Sequence, residues 1–150
     1  MAGFQFRLQR VLEWRRTTLS LEQARLENLR AQLRAIESAR QELIEKRLTM
    51  QRDTASAPAI TGDDLTRLDR FRRWAEREDK TLAKRAVDVG REIAAQSAKV
   101  MSADRDVRLV ERLKERRHEA WKAEQEKQID ETAGESAVAQ WRRKSAANGR

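Results

Sequence analysis

Apolar residues recur along this chain at alternating steps of four and three. The first series starts at Leu8 and runs through Leu12, Leu19, Leu26, Leu29, Leu33, Ile36 and Leu43 to Met50. Nine of its thirteen positions are apolar. That spacing holds side chains on one stripe of an α-helix, and sustained over this length it marks a coiled-coil seam. A second series runs from Leu65 to Trp121, with twelve of seventeen positions apolar. Between the two lies one short breaker, TASAPAITG, residues 54–62. Pro58 cannot continue a helix and biases Ala57 away from helical geometry. The pattern predicts an all-α fold: two long helices forming an antiparallel coiled-coil hairpin, with the C-terminal helix overhanging. Helix 1 is expected over about 4–54, the turn over 55–61, and helix 2 over about 62–131. A flexible tail is expected over 132–150, where small and polar residues dominate.

Local signals refine this picture. Thr61 is a fitting N-cap for helix 2, and Asp63 and Asp64 place carboxylates at the positive end of its dipole. Ile60 and Leu65 stand at the two positions of a hydrophobic staple. Gly90 falls inside helix 2 and costs about 1 kcal/mol relative to Ala. Arg15, Glu22, Arg40 and Arg47, then Arg72, Asp79, Gln96, Lys114 and Arg117, occupy seam positions. Polar seam residues commonly select register and strand number at some cost in stability. Residues beyond about 115 have no partner on helix 1, and a lone helix of that size is marginal in water.

Composition agrees with a two-helix rod. The chain has 150 residues, enough for one domain; 39% are charged, only 5% are aromatic, and mean hydropathy is −0.91. A narrow seam needs few apolar residues, whereas a globular core needs more. The chain has no cysteine, so neither a disulfide framework nor a thiolate metal site is available. No apolar run approaches the ~18 residues of a membrane span. The start, MAGFQFRLQR, carries arginines where a signal peptide needs an apolar stretch. A cytoplasmic protein, or one peripheral to a membrane, is expected.

The net charge of +8 is unevenly spread. Residues 1–20 hold Arg7, Arg10, Arg15 and Arg16 against Glu13 alone. Residues 105–117 hold Arg105, Arg108, Arg112, Lys114, Arg116 and Arg117 against three acids. A hairpin turning near residue 59 sets these segments side by side, so one end of the rod carries most of the net charge. Such an end suits an acidic partner. Acids interrupt both basic segments, and no aromatics interleave with the bases, so nucleic acid is not the expected partner.

No catalytic constellation emerges, and no enzyme, metal site or cofactor is expected. His118 is the only histidine and, without cysteine, forms neither a catalytic pair nor a metal cluster; it is expected as an exposed helical residue. The five glycines form no phosphate-cradling loop. Phe71 and Trp74 fall off the seam, one turn apart, and read as a contact surface; the alternative is a local change of phase that tucks Phe71 against helix 1. Leu12, Trp14, Leu113 and Trp121 are expected to pack beside the basic segments.

The stretch from Arg112 to Ala133, RLKERRHEAWKAEQEKQIDETA, resembles the C-terminal signature of the FliJ family of the bacterial flagellar type III export apparatus. That signature is a basic L-K-E-[RK]-R segment, an aromatic a few residues on, and a charged run ending in D-E-x-A. Leu113, Trp121, Asp130 and Glu131 carry the match. The opening F-x-L-x-x-[VL]-L-like stretch appears as Phe6-Arg-Leu8-Gln-Arg-Val11-Leu12. Family members often carry tyrosine in mid-rod, and this chain has none. The resemblance implies a stalk that docks into the hexameric export ATPase and promotes its turnover. It also implies contacts with the membrane export gate protein and with export chaperones, in protein transport for motility. Carried onto this sequence, ATPase docking falls to Arg7, Arg10, Arg112, Lys114, Arg116 and Arg117, and export-gate contact to Phe71 and Trp74. A general coiled-coil scaffold and a basic nucleic-acid-binding hairpin are the competing readings.

Overall fold

The computed structural model describes residues 3–148 and contains two helices, α1 (Gln9–Ala55) and α2 (Gly62–Asn148), packed against each other as an antiparallel hairpin. The packed residues divide into two units, Thr17–Asp104 and Met1–Arg16 with Arg105–Arg150.

In the unit Thr17–Asp104 the seam follows the heptad positions closely. Leu26, Ile36 and Leu43 of α1 and Ala75 and Val89 of α2 are buried. The polar seam positions pair across the hairpin. Gln96 is buried; its Nε2 donates to the Glu22 carbonyl at 3.0 Å and to the Glu22 carboxylate. Arg40 reaches Asp79 through two nitrogens, Nε at 2.7 Å and Nη2 at 3.3 Å. The pair holds the Asp79 carboxyl below the usual carboxylate range, through this hydrogen bond first. Both couples match a turn centred near residue 59. Arg47 and Arg72, also seam positions, lie exposed where the apolar series thins.

The turn is tighter in chemistry than the sequence pattern implied. The Thr61 Oγ1 accepts the Asp64 backbone N–H at 3.2 Å, and the Asp64 carboxylate accepts the Thr61 backbone N–H at 3.0 Å. This is a reciprocal capping box with aspartate at its third position. Ile60 and Leu65 do not close the expected staple by burial; they are 52% and 54% exposed. The box already satisfies the end of the helix, and Leu65 turns away from α1.

Two boundaries differ from the sequence expectation. Helix α1 starts at Gln9 rather than near Phe4. Over residues 3–8 exposure alternates: Phe4, Phe6 and Leu8 turn inward while Gln5 and Arg7 are exposed. An extended segment puts residues two apart on one side, whereas a helix would set Phe4 and Phe6 on different faces. Burying both phenylalanines therefore keeps this segment out of the helix until the Gln9 N–H bonds the Phe6 carbonyl at 3.0 Å. At the other end, the expected tail from 132 is helical as far as Asn148; residues 149–150 lie outside the described residues. That segment holds no proline, and Gly134 is set among five alanines, Glu135, Gln140 and three basic residues, all good helix formers. Nothing there terminates α2.

Gly90 lies within unbroken α2, and a Cβ there would meet nothing within 4 Å. Gly90→Ala should therefore stabilise the hairpin by about 0.5–1 kcal/mol, read as a higher urea midpoint at unchanged m-value. The capping box makes a second expectation. Thr61, through its hydroxyl and then its backbone N–H, holds the Asp64 carboxyl below its ordinary range. A depressed carboxyl contributes stability above its unfolded pKa and loses it as pH falls through the folded value. Thr61→Ala should cost about 1 kcal/mol at neutral pH, and the gap to the unmodified chain should narrow in acid. A gap independent of pH, measured by thermal melts, would contradict this role for Asp64.

Candidate docking site

The unit Met1–Arg16 with Arg105–Arg150 brings together the residues that the charge distribution singled out. Its core is Phe6, Leu12 and Val107, with Leu12 wholly inaccessible. Leu113 is half-buried beside them. The first turn of α1 is tied to α2 by Lys114, whose Nζ donates to the Gln9 Oε1 at 2.9 Å. Lys114 is thus half-buried and engaged in structure, unlike the exposed cations around it.

Ion pairing sharpens the charge of this unit. Arg15 binds Asp106 at 2.7 Å and Arg16 binds Glu111 at 2.8 Å. Two of the acids that interrupt the basic segments are consumed in this way. Arg7, Arg10, Arg112, Arg116 and Arg117 are exposed and, among the described residues, belong to no ion pair. Exposed pairs contribute only about 0–1 kcal/mol each, so these arginines matter more for what approaches them than for folding.

An aromatic cluster stands beside the arginines. The Phe4 ring meets His118 edge-on at 4.9 Å and Trp121 at 6.0 Å, and His118 stacks on Trp121 at 6.0 Å. His118 is therefore half-buried packing rather than the exposed residue expected. The sequence did carry a signal, because His118 and Trp121 lie one helical turn apart and the hairpin register brings the chain start beside them. Trp14 corrects the opposite way: it is 60% exposed, with the Arg15 guanidinium 5.0 Å from its ring centroid, and does not pack inside.

Beyond the cluster, α2 continues without α1. Gly3, Phe4 and Gln5 form one wall of an open groove of about 1060 Å³, and Arg117, Trp121, Gln125 and Ile129 line the other. Asp130 and Glu131 are exposed further along, with Lys127 3.9 Å from Glu131. The groove walls are mostly apolar and amide side chains, with Arg117, Thr132 and Ser136 the charged and hydroxyl-bearing members. Among the described residues no group of side chains could hold a metal ion, and no helix is long and apolar enough to cross a membrane.

In the unit Thr17–Asp104, Phe71 and Trp74 lie 5.5 Å apart, ring centre to ring centre. Trp74 is 43% exposed. Phe71 is half-buried and leans over α1, above a groove of about 520 Å³ lined by Glu42, Lys46, Met50 and Asp53. Phe71 thus follows the alternative reading in part, while Trp74 remains an outward-facing aromatic.

Removing the Phe4 ring takes away the wall that the extended segment presents to His118 and Trp121. Phe4→Ala should cost about 1–2 kcal/mol, the loss of a half-buried aromatic, and should raise hydrogen exchange at the Gln9 and Leu12 amides, which bond the Phe6 and Leu8 carbonyls. An unchanged exchange rate there would show that Phe4 does not hold the chain start.

Compared with protein-family models, curated proteins and solved structures, the chain finds no match.

Proposed function

We propose that this chain is a non-enzymatic stalk or adaptor of the bacterial flagellar protein export apparatus. In this reading it is a cytoplasmic protein held peripherally at the inner membrane. Arg7, Arg10, Arg112, Arg116 and Arg117 dock against the hexameric export ATPase and promote its turnover. Phe71 and Trp74 contact the membrane export gate protein, and export chaperones are further partners. The single observation that carries the reading is the set of unpaired, exposed arginines in one packed unit, beside residues that match the family signature.

Physics favours a docking role for these cations. A guanidinium outside any ion pair is open to an incoming carboxylate, and complementary fields raise association rates and select partners. The signature residues divide in a way that fits. Leu113 and Trp121 are half-buried and shape the unit, while Asp130 and Glu131 are exposed on α2.

Arg112, Arg116 and Arg117 reversed together to Glu should leave helicity unchanged and abolish stimulation of the export ATPase. Residual binding should become less sensitive to salt, because fewer charges are neutralised on contact. Full stimulation by the folded triple variant would remove the arginines from the mechanism.

A further inference from the structure

A second cationic surface lies on α2, in the unit Thr17–Asp104, and the ATPase docking proposed above uses none of its cations. Arg70, Arg73, Arg77, Lys80 and Lys84 follow one another at alternating steps of three and four residues. That spacing lines them on one stripe of the helix. The seam residues Ala75, Leu82 and Ala86 occupy the other side of α2, so the stripe faces solvent, and all five cations are exposed. Trp74, also proposed above as an export-gate contact, stands at the edge of the stripe, 43% exposed and one turn from Arg70 and Arg77.

Asp63 and Asp88 bound the five cations along the helix, and Glu76 borders them, lining one hollow with Arg73, Arg77 and Lys80. Of the acids beside the stripe, Asp69 is engaged by Arg73 at 2.9 Å and by Arg72 at 3.6 Å, and Glu76 by Arg72 at 3.9 Å, while exposed Glu78 stands one turn beyond Trp74. Arg70, Arg77, Lys80 and Lys84 belong to no ion pair among the described residues. Four unpaired cations and an indole thus lie along about 21 Å of helix.

We infer that this face of α2 adsorbs to an anionic lipid surface. The four cations meet headgroup phosphates, and the Trp74 indole sits at the level of the headgroups. A straight line of outward-facing cations can meet a plane along its whole length, and its opposite face is already occupied by α1. Each basic residue near an anionic leaflet adds attraction that falls off within a Debye length. Tryptophan favours the membrane interface, where its ring is half wet and its N–H is satisfied. A single-stranded nucleic acid would call for several aromatics to stack successive bases, and the stripe offers one. This inference does not rest on the ATPase docking proposed above and involves none of its arginines.

The test uses the full chain in flotation with vesicles of phosphatidylglycerol mixed with phosphatidylethanolamine, and with phosphatidylcholine vesicles as the neutral arm. Binding should appear only on the anionic vesicles and weaken steeply with salt. Arg70→Glu, Arg77→Glu and Lys84→Glu together should lower it by about tenfold or more. Lys46→Glu, Lys99→Glu and Lys122→Glu, an equal change of charge on other exposed positions, should leave it within about twofold, as expected if position rather than net charge governs adsorption. If the first variant loses helicity, the Gln replacements at the same three positions take its place. Equal binding to neutral vesicles, or equal loss in both variants, would overturn the proposal. So would tighter binding to a short oligonucleotide at the same salt, lost in the same variant, which would make the stripe a nucleic-acid surface.

Discussion

The structure depends on one constraint: a very thin seam must hold two helices dense with charge. The described core is little more than Phe6, Leu12, Leu26, Ile36, Leu43, Ala75, Val89 and Val107. Each buries its apolar area against the other helix, and nothing lies behind it. The pairing of the two helices is stabilised mainly by packing of the apolar stripe. Wherever the stripe is filled the hairpin closes, and where it thins, as at Arg47, Leu65 and Arg72, side chains are exposed.

A seam this narrow could slip by a heptad, because Leu, Val and Ala are nearly interchangeable in such positions. The polar members work against slippage. Gln96 in the seam finds both the carbonyl and the carboxylate of Glu22, and Arg40 finds Asp79 through two nitrogens. A shift by one heptad toward the turn would strand the buried Gln96 amide opposite Leu29, and a shift the other way would set it against Arg15; an unsatisfied buried amide is costly. These pairs thus contribute to which alignment forms more than to how stable it is, the role for which buried polar seam residues are best attested.

Ion pairing also decides what the surface can do. In the Arg-rich unit, Asp106 and Glu111 are taken up by Arg15 and Arg16, and Arg7, Arg10, Arg112, Arg116 and Arg117 face outward outside any ion pair among the described residues. On α2 in the other unit, Asp69 and Glu76 are taken up by Arg72 and Arg73, leaving a cationic stripe with Trp74. The same simple chemistry therefore makes two surfaces. One is suited to a protein of opposite charge and the other to an extended anionic plane.

Periodicity, one proline and the hairpin register determined the all-α class, the break around Pro58, the placing of Glu22, Arg40, Asp79 and Gln96 at seam positions, and the clustering of arginines. These are legible because heptad spacing, a proline and a hairpin register are local or arithmetical properties of the chain. Tertiary structure decided what depends on contact. Phe4 and Phe6 choose an extended segment over a helix because both must bury on α2. His118 is packed between Phe4 and Trp121, while Trp14, equally aromatic, is left outside. Lys114 is tied to Gln9 while its neighbours stay unpaired. The helix beyond residue 131 continues because nothing in its surroundings ends it, a negative condition that small and polar residues do not announce. Which acids neutralise which arginines was also beyond the sequence, since every charged residue there has several candidates at helical spacing and only the packed register chooses among them.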